Sequence, residues 1–265
     1  MKKMFAVLLV LLLALTGFAF AEDASVEKIQ TKGTFILGLD DSFPPMGFRD
    51  ENNDIVGFDI DVAKVVAEKL GVEFVAQPIA WDSKELELSS GNIDCIWNGL
   101  SITEERQASM AMTFPYLNNQ IVCYTKDDAE IASLADLAGK SVAVQNGSYA
   151  EELLLSDDYA DVKATFADMP GFEDYLTALM DLQQGGVDAV IMDLVVGDFR
   201  INSMGAENLK AAFALEDDNY GIGFRKDDLA LRDKVQDILK EMKADGSLAA
   251  ISEKWFGSDI TVVAD

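Results

Sequence analysis

After a leading apolar segment, the chain alternates short apolar runs with amphipathic helical patterns. Thr34 to Leu39 predicts a buried strand, and Phe58 to Leu70 carries apolar residues at helical spacing, followed by Gly71 as a C-terminal cap. Val72 to Ala76 and Ile93 to Trp97 predict two further strands. Because crossovers of this length join parallel strands, the order of strand, helix and strand predicts an open α/β sheet.

The same alternation starts again in the second half of the chain. The predicted strands there are Ser141 to Gln145, Val162 to Phe166 and Asp188 to Met192, and the predicted helices are Ser148 to Leu155 and Glu173 to Gln184. This pattern indicates a second α/β unit of similar size to the first.

Two extended segments separate these units. Tyr116 to Thr125 and Ala212 to Phe224 are predicted to carry the chain from the first unit to the second and back. Asp228 to Phe256 predicts two helices that are broken at Gly246, and the apolar stripe of the first predicts that they pack on the first unit.

The predicted fold is therefore α/β, with two Rossmann-like open-sheet lobes joined by two hinge strands. The first lobe is predicted to comprise residues 22–118 and 217–265, and the second lobe residues 119–216. Open α/β sheets bind ligands at the carboxyl ends of their strands, and pockets occur preferentially between domains. We therefore expect the binding site in the cleft between the lobes.

The N-terminus has the pattern of a secretory signal peptide over residues 1–21. Met1-Lys2-Lys3 precedes an apolar core from Met4 to Leu15, and Ala19-Phe20-Ala21 forms an A-x-A cleavage site before Glu22. Phe18 stands where a lipid-bearing cysteine would be needed, so no lipid anchor is expected. The mature protein is expected to be soluble, in the periplasm or outside the cell.

The charge of the chain argues against two classes of partner. The formal net charge is −26 over 265 residues, and removal of Lys2 and Lys3 with the leader makes it −28. Nucleic acid and anionic membrane surfaces are therefore implausible partners. We expect the acidic surface to serve solubility.

Histidine is absent, which removes the commonest general base and transition-metal ligand. A Ser-His-Asp or Cys-His catalytic arrangement is therefore impossible. The acidic runs Asp50 to Asp54 and Glu216 to Asp218 lack the spacing of a calcium loop, so neither a metal nor a cofactor is expected. Cys95 and Cys123 lie in predicted strands and are expected to be buried and unpaired.

A candidate carboxylate receptor follows the strand Ile93 to Trp97. The run from Gly99 to Arg106 starts a polar helix, whose first turn has free N–H groups that favour an anion. The Arg106 guanidinium adds a planar fork that can bind a carboxylate through two hydrogen bonds. The alternative is structural: Thr103 only caps the helix, and Arg106 pairs with a neighbouring glutamate or with solvent.

Seven motifs in order along the chain bear on these alternatives. They are Phe43-Pro44-Pro45-Met46-Gly47-Phe48, Val56-Gly57-Phe58-Asp59-Ile60-Asp61-Val62-Ala63, Ser101-Ile102-Thr103-Glu104-Glu105-Arg106, Phe114-Pro115-Tyr116, Gly147-Ser148, Asp188-Ala189-Val190-Ile191-Met192-Asp193 and Tyr220-Gly221-Ile222-Gly223-Phe224-Arg225-Lys226. Together they resemble the polar amino acid-binding proteins of ABC importers, solute-binding protein family 3, which have the type II periplasmic-binding protein fold.

The resemblance implies a set of contacts for the ligand's α-carboxylate and α-ammonium groups. The carboxylate in that family is held by the arginine of the Ser-Ile-Thr-x-x-Arg motif and nearby N–H groups, which correspond here to Arg106, Ser101 and Thr103. The second lobe contributes the positions of Gly147 and Ser148.

The ammonium group in the family meets an aspartate that ends a strand of the second lobe. That aspartate corresponds to Asp193 in this chain. A purely structural alternative for Asp193 is to cap the helix that follows.

The resemblance also implies which residues meet the ligand side chain. Phe43 and Trp81 match positions whose rings sandwich it in relatives, and Asp40 matches a position that contacts polar or cationic ends. Four further site positions depart from or vary within the family's usual pattern: Asn98, Gly99, Gln145 and Tyr149. These positions affect the expected specificity and leave the expected contacts to the zwitterion unchanged.

The function that the resemblance implies is that of an extracytoplasmic receptor. It would capture a polar or basic L-amino acid in a closing cleft and deliver it, as a monomer, to the membrane permease of an ABC importer. The alternative is an enzyme resembling the cyclohexadienyl dehydratases on the same fold, because that chemistry needs only a carboxylic acid in a dry cleft.

Overall fold

The structure, a computed structural model, describes residues 23–264, so the predicted signal peptide lies outside the described residues. Its strands are β1 (Thr34–Leu39), β2 (Ser42–Phe43), β3 (Gly47–Arg49), β4 (Ile55–Val56), β5 (Glu73–Pro78), β6 (Cys95–Ser101), β7 (Ala111–Met112), β8 (Leu117–Lys126), β9 (Val142–Gln145), β10 (Gly171–Phe172), β11 (Ala189–Asp193) and β12 (Leu209–Phe224).

Ten α-helices occur within the described residues. They are α1 (Ser25–Lys32), α2 (Phe58–Leu70), α3 (Lys84–Ser90), α4 (Glu104–Ser109), α5 (Tyr149–Leu155), α6 (Ala160–Lys163), α7 (Tyr175–Gln184), α8 (Leu194–Met204), α9 (Leu229–Asp245) and α10 (Ser247–Phe256). Short 3-10 turns lie at 81–83, 134–137 and 157–159.

One large mixed sheet runs through the molecule in the order β10-β9-β11-β8-β12-β6-β1-β5. Strand β1 pairs in parallel with β5 and β6, and β9 pairs in parallel with β10 and β11. Each parallel group is the sheet of one lobe, so the predicted parallel α/β units are confirmed. A separate small sheet joins β2, β3 and β4 beside the first lobe.

The two long strands β8 and β12 connect the lobes. They pair antiparallel from Leu117 opposite Tyr220 to Lys126 opposite Leu209. β12 then continues against β6 of the first lobe, while β8 pairs with β11 of the second. The chain therefore crosses twice between lobes through adjacent strands, as the two extended segments predicted. The exact lobe boundaries stay a prediction.

Apolar periodicity positions the helices as predicted. Helix α2 buries its apolar face and ends at Gly71, which takes a left-handed conformation that closes the last turn. Helices α9 and α10 meet at Gly246 and pack against α1 and α2 of the first lobe. In the second lobe, apolar side chains of β8, β9, β11 and α5 form a core of their own.

The prediction of a strand from Val162 to Phe166 is wrong. The chain forms helix α6 and a turn there, in which Thr165 Oγ1 donates to the carbonyl of Val162 at 2.6 Å. The place beside β9 in the sheet is taken by β10, where Gly171 pairs with Val144. An alternating apolar pattern of five residues fits a half-buried helical turn as well as a strand. Because β10 pairs with β9, residues 162–166 form a helical turn outside the sheet.

Both cysteines are buried and unpaired, Cys95 in β6 and Cys123 in β8. Among residues 23–264, no helix is long and apolar enough to cross a membrane.

Candidate functional site

A small cavity lies between the lobes, where strand ends of both sheets meet. The space between its walls is about 230 Å³, part of which is open to solvent, and the walls come from both halves of the chain. The lining residues are Phe43, Trp81, Gly99, Ser101, Arg106, Gln145, Ser148, Tyr149 and Asp193. All nine were predicted from the sequence to be site residues. The other four predicted residues, Asp40, Asn98, Thr103 and Gly147, adjoin this wall and are described below.

Among the residues that the structure describes, Arg106 is the only arginine or lysine on the wall of this cavity, and it is 4% exposed. Its Nη1 donates to the carbonyl of Ser101 at 2.9 Å, and its Nη2 donates to Glu152 at 2.6 Å. Its Nε is buried without a hydrogen-bond partner among the described residues. Thr103 caps helix α4, with Oγ1 accepting from the backbone N–H of Arg106 at 3.1 Å. Thr103 therefore caps the helix, as the structural alternative predicted. Arg106 does not pair with Glu104 or Glu105 but with Glu152 across the cleft.

A buried lysine makes a second polar contact between the lobes beside Arg106. Lys84 lies at the start of α3, and its Nζ donates to the carbonyl of Gly147 at 2.7 Å. Burial lowers the pKa of the Lys84 ammonium, and the nearby Arg106 charge lowers it further. Sequence reasoning missed Lys84 and Glu152 because their partners are distant in the chain and no local pattern marks them.

Gly147 and Ser148 form the turn before α5. The Ser148 hydroxyl accepts from the N–H of Glu151 at 3.1 Å, and the Glu151 carboxylate accepts from the N–H of Gly147 at 2.6 Å. These reciprocal bonds cap the helix. A side chain at Gly147 would lie 2.7 Å from the Asp82 backbone, so this turn approaches the first lobe in a way that only glycine permits.

Asp193 ends β11 and stands at the N-cap position of α8, but its side chain makes no capping hydrogen bond. Its Oδ1 instead accepts from the Tyr220 hydroxyl and from Asn119 Nδ2, each at 2.7 Å. The capping alternative is therefore not what holds this side chain. Burial raises the pKa of Asp193 to about 7, and the nearby Asp218 carboxylate adds to the shift.

Asp218 on hinge strand β12 fixes the direction in which the Ser101 hydroxyl donates its hydrogen bond. Ser101 Oγ donates to Asp218 Oδ2 at 2.9 Å. A hydroxyl has one hydrogen to donate, so the lone pairs of Ser101 are the groups left for the cavity that it lines. The side chain can accept from a positively charged donor but cannot donate to a ligand carboxylate.

Asp40 and Gln145 meet across the cleft at the other end of the cavity. Gln145 Nε2 donates to Asp40 Oδ2 at 2.7 Å, and the N–H of Ser42 donates to Asp40 Oδ1 at 2.8 Å. Burial raises the pKa of the Asp40 carboxyl despite these bonds. Gln145 Oε1 is buried without a partner among the described residues, which leaves it as an acceptor. Asn98 Oδ1 supports the wall from behind by accepting from the N–H of Asp40 at 3.1 Å.

A second, larger cavity adjoins the first at Trp81 and is strongly acidic. The carboxylates that line it are Asp40, Asp41, Asp82, Glu173 and Asp174. Arg200 lies nearby in α8, and its Nη2 donates to the carbonyl of Ser42 at 2.8 Å. This mouth therefore carries an excess of negative charge, which favours a cationic group over an anionic one.

Aromatic rings form the rest of the cavity wall. Phe43 contacts Tyr175 of the second lobe, with ring centroids 6.1 Å apart, and Tyr149 lines the wall from α5. Lys84 Nζ lies 5.2 Å from the centre of the Trp81 ring. Phe43 and Trp81 thus both lie on the cavity wall, and their contact with a ligand side chain stays a prediction.

Gly99 owes its position to a bulge in β6. The pairing between β6 and β12 shifts register between Gly221 and Gly223, and Gly99 has φ +61°. The Asp59 carboxylate, buried in α2, accepts from the N–H of Gly99 at 2.9 Å and from the Tyr116 hydroxyl at 2.8 Å. Asp59 belongs to one of the seven motifs but was not predicted to support the site. An acidic residue on the buried face of a helix was the signal that could have indicated this supporting role.

No group of three or more acidic, cysteine or histidine side chains in residues 23–264 is arranged to hold a metal ion. The chemistry of the cavity is instead that of one guanidinium, one carboxylate and several hydrogen-bonding groups.

Comparison with known proteins places the chain in a family. Residues 35–258 match the bacterial extracellular solute-binding proteins, family 3. The chain is 30% identical over 245 residues to the L-cystine-binding protein TcyJ of Escherichia coli, covering 92% of this chain and 90% of the relative. It is 32% identical over 256 residues to the ABC transporter arginine-binding protein 1 of the same species, covering 94% of this chain and 98% of the relative.

The fold is similar to that of a substrate-binding protein of an ABC uptake transporter from Streptococcus pneumoniae with bound histidine. The TM-score is 0.87 at 32% identity, over 91% of this chain and 99% of the other. The family and these relatives are solute-binding proteins, which favours a binding protein over the dehydratase-like enzyme that the sequence left open. The chain belongs to family 3 of the bacterial extracellular solute-binding proteins.

Proposed function

We propose that the cleft binds an α-amino acid as a zwitterion, with Arg106 as the carboxylate clamp and Asp193 as the ammonium partner. The observation that carries the proposal is that these two residues, from opposite lobes, line one cavity. Arg106 retains an unpartnered Nε among the described residues, and one oxygen of Asp193 accepts both of the side-chain hydrogen bonds described above. A guanidinium and a carboxylate so placed complement the charges of an amino acid.

The side chain of the ligand is proposed to be polar or cationic. Asp40 and the free Oε1 of Gln145 are acceptors, and the acidic mouth lies beyond them. Asp40 accepts two hydrogen bonds but, among the described residues, has no cation beside it in the cavity, and a buried carboxylate is stabilised further when a cation meets it. Relatives named for cystine and arginine, and a structural neighbour with bound histidine, support a ligand of this class.

The remaining site residues take supporting roles in this proposal. Phe43, Trp81 and Tyr149 enclose the ligand side chain, and Gly99 and Ser148 supply close backbone approach on either side. Asn98, Thr103 and Gly147 hold the cavity wall through the bonds described above.

The proposed physiological role is capture outside the cytoplasm and delivery to the membrane permease of an ABC importer. The family description and the relatives of ABC transporters support this role. We further propose that the protein acts as a monomer and that residues 1–21 are removed on export to the periplasm or the cell exterior.

The lobes are proposed to be open without ligand and to close over it. The hinge strands β8 and β12 cross near residues 118–120 and 215–217, where small changes of φ and ψ can swing one lobe about the other. A zwitterion that bridges Arg106 and Asp193 makes contacts in the closed form that the open form lacks. Small-angle scattering with and without ligand tests closure, and an unchanged radius of gyration would contradict it.

A ligand panel by thermal shift and calorimetry tests the proposed ligand class. An amino acid at about 100 times its Kd should raise the free energy of unfolding by about 2.7 kcal/mol. Lysine, arginine, ornithine and glutamine should bind more tightly than leucine and glutamate. Asp40→Asn should reduce the preference for the cationic ligands, and tightest binding of leucine or glutamate by the unmodified protein would contradict the role given to Asp40.

A further inference from the structure

Four buried polar side chains form a continuous hydrogen-bonded chain through the hinge. Ser101 Oγ donates to Asp218 Oδ2, and Asn119 Nδ2 donates both to that oxygen, at 2.9 Å, and to Asp193 Oδ1, at 2.7 Å. Each of the four is at most 5% exposed. The chain links the end of β6 in the first lobe to the end of β11 in the second by way of both hinge strands.

The orientation of the Asn119 amide in this chain follows from its partners. Carboxylates accept hydrogen bonds and cannot donate them when ionised, so the NH₂ group has to face Asp193 and Asp218. One amide group therefore holds two carboxylates at a fixed separation. Among residues 23–264, neither carboxylate forms an ion pair with a lysine or arginine.

Two buried carboxylates without a bonded cation are costly, and each cost is reduced when positive charge arrives. Asp193 lines the cavity directly, whereas Asp218 reaches it through the Ser101 hydroxyl, whose hydrogen it accepts. Asp218 thus turns Ser101 into an acceptor and places a second negative charge behind it. Both effects favour a positively charged donor at this end of the cavity.

We propose that Asp218 is a positioning residue for the ligand's ammonium group, acting through Ser101 and Asn119. The proposal rests on the proposed function, since it assigns to the hinge the recognition of the amino group of the same ligand. It goes beyond the residues that line the cavity, because Asp218 is not among them.

The neighbouring residue Asp217 provides a matched control. It lies on the same strand and carries the same charge, but it is exposed and accepts from Gln120 Nε2 at 2.7 Å on the other hinge strand. Asp217→Asn therefore repeats the change of net charge and the hinge location without touching the buried chain.

The first experiment compares two probes that differ in the amino group. L-Arginine and its deamino analogue δ-guanidinovalerate are titrated by calorimetry into the unmodified protein and both variants. Asp218→Asn should weaken L-arginine by about tenfold or more, because a hydrogen-bonded charge is lost. It should leave the weaker binding of δ-guanidinovalerate unchanged, and Asp217→Asn should change neither. An equal loss for both probes, or no loss for L-arginine, overturns the proposal.

The second experiment needs no ligand. The side-chain carboxyl carbon of Asp193 is followed by NMR through a pH titration of the ligand-free protein. The titratable or charged groups around this pair are Tyr124, Tyr149, Tyr175, Tyr220, Arg106 and the two carboxylates themselves. Asp218→Asn should lower the titration midpoint of Asp193, because it removes a neighbouring negative charge, and Asp217→Asn should leave it in place.

The two experiments separate the inference from the function on which it rests. Failure of the unmodified protein to bind L-arginine or any amino acid contradicts the proposed function, while an unmoved Asp193 midpoint in Asp218→Asn contradicts the role of Asp218. If Asp218→Asn does not fold, Asp218→Ser also removes the charge and is judged by the same comparisons.

Discussion

Arg106 and Glu152 form an ion pair across the cleft, with 2.6 Å between Nη2 and Oε1. The arginine side chain is 5% exposed and the glutamate 34%, so the pair joins the cavity wall to the rim. One guanidinium therefore serves both the proposed ligand contact and a contact between lobes. The proposed ligand contact and the proposed closure would be coupled through this residue, because each restricts the same side chain.

Replacement of Arg106 tests the proposed carboxylate clamp. Arg106→Ala should weaken amino acid binding by roughly 2 to 5 kcal/mol, because the ligand anion is buried without its charged partner. Calorimetry measures the change, with Arg232→Ala on helix α9 as the control. Affinity for Arg106→Ala within about threefold of the unmodified protein would place the site elsewhere.

Replacement of Glu152 tests the contact between lobes separately from the ligand contact. Glu152→Gln should speed ligand release by roughly two- to fivefold, since a partly exposed ion pair contributes modestly and is screened by salt. Stopped-flow tryptophan fluorescence at low and high salt follows the rate. Glu105→Gln, an exposed carboxylate on α4, should behave like the unmodified protein. Equal rates for the two variants would show that the pair does not hold the cleft closed.

Replacement of Asp193 separates ligand binding from helix capping. Asp193→Asn keeps the shape and removes the charge, so amino acid affinity should fall by about tenfold or more. The side chain makes no capping bond, so the melting temperature without ligand should be unchanged or raised. A large loss of stability with retained binding would support the capping role instead.

The buried carboxyl of Asp59 should make stability depend on pH. Burial raises the pKa of Asp59 to about 7, so between about pH 4 and 7 the folded protein holds a proton that the unfolded chain has lost. The contribution of this group to stability therefore falls as pH rises through that window. In Asp59→Asn, the loss of unfolding free energy between about pH 4 and pH 8 should be smaller than in the unmodified protein by roughly 2 to 4 kcal/mol.

Urea unfolding of the ligand-free protein at several pH values measures this slope. Asp61→Asn on the same helix makes the same charge change at a side chain that pairs with Lys254, and serves as the control. If the decline of stability with pH persists in Asp59→Asn and is lost in Asp61→Asn, the effect belongs to Asp61 and not to Asp59.

Gly99 should tolerate no side chain. Its φ is +61°, and an added Cβ would lie 2.7 Å from the Phe43 ring and 3.1 Å from the Tyr220 ring. Gly99→Ala should cost roughly 2 to 4 kcal/mol and displace a ring from the cavity wall, which weakens ligand binding. Gly91→Ala adds a Cβ at φ +82° with nothing within 4 Å, so about 1 kcal/mol is expected there. An equal loss of unfolding free energy for Gly99→Ala and Gly91→Ala, measured with urea, would show that the Phe43 and Tyr220 rings move aside without cost.

Local pattern determined most of the elements, and the resemblance to a known family pointed to most of the cavity wall. Apolar periodicity and the cap at Gly71 were sufficient for α2, and strands with buried runs such as Thr34 to Leu39 were found within a residue or two. Arg106 was found because it lies in the first turns of the helix that follows a predicted strand, where unpaired N–H groups favour an anion. Asp193 was found through the family resemblance. Apolar spacing and strand ends are properties of neighbouring residues, so one sequence carries them.

Tertiary structure alone decided what depends on partners distant in the chain. The run Val162 to Phe166 had a strand-like pattern, but β10 takes the place beside β9, and strand pairing is not written in a five-residue window. Arg106 meets Glu152 rather than its neighbours, and Asn119 brings Asp193 and Asp218 together. Sequence sets which side chains can ionise. Their charge states and contacts follow from burial and from the second lobe, which only folding supplies.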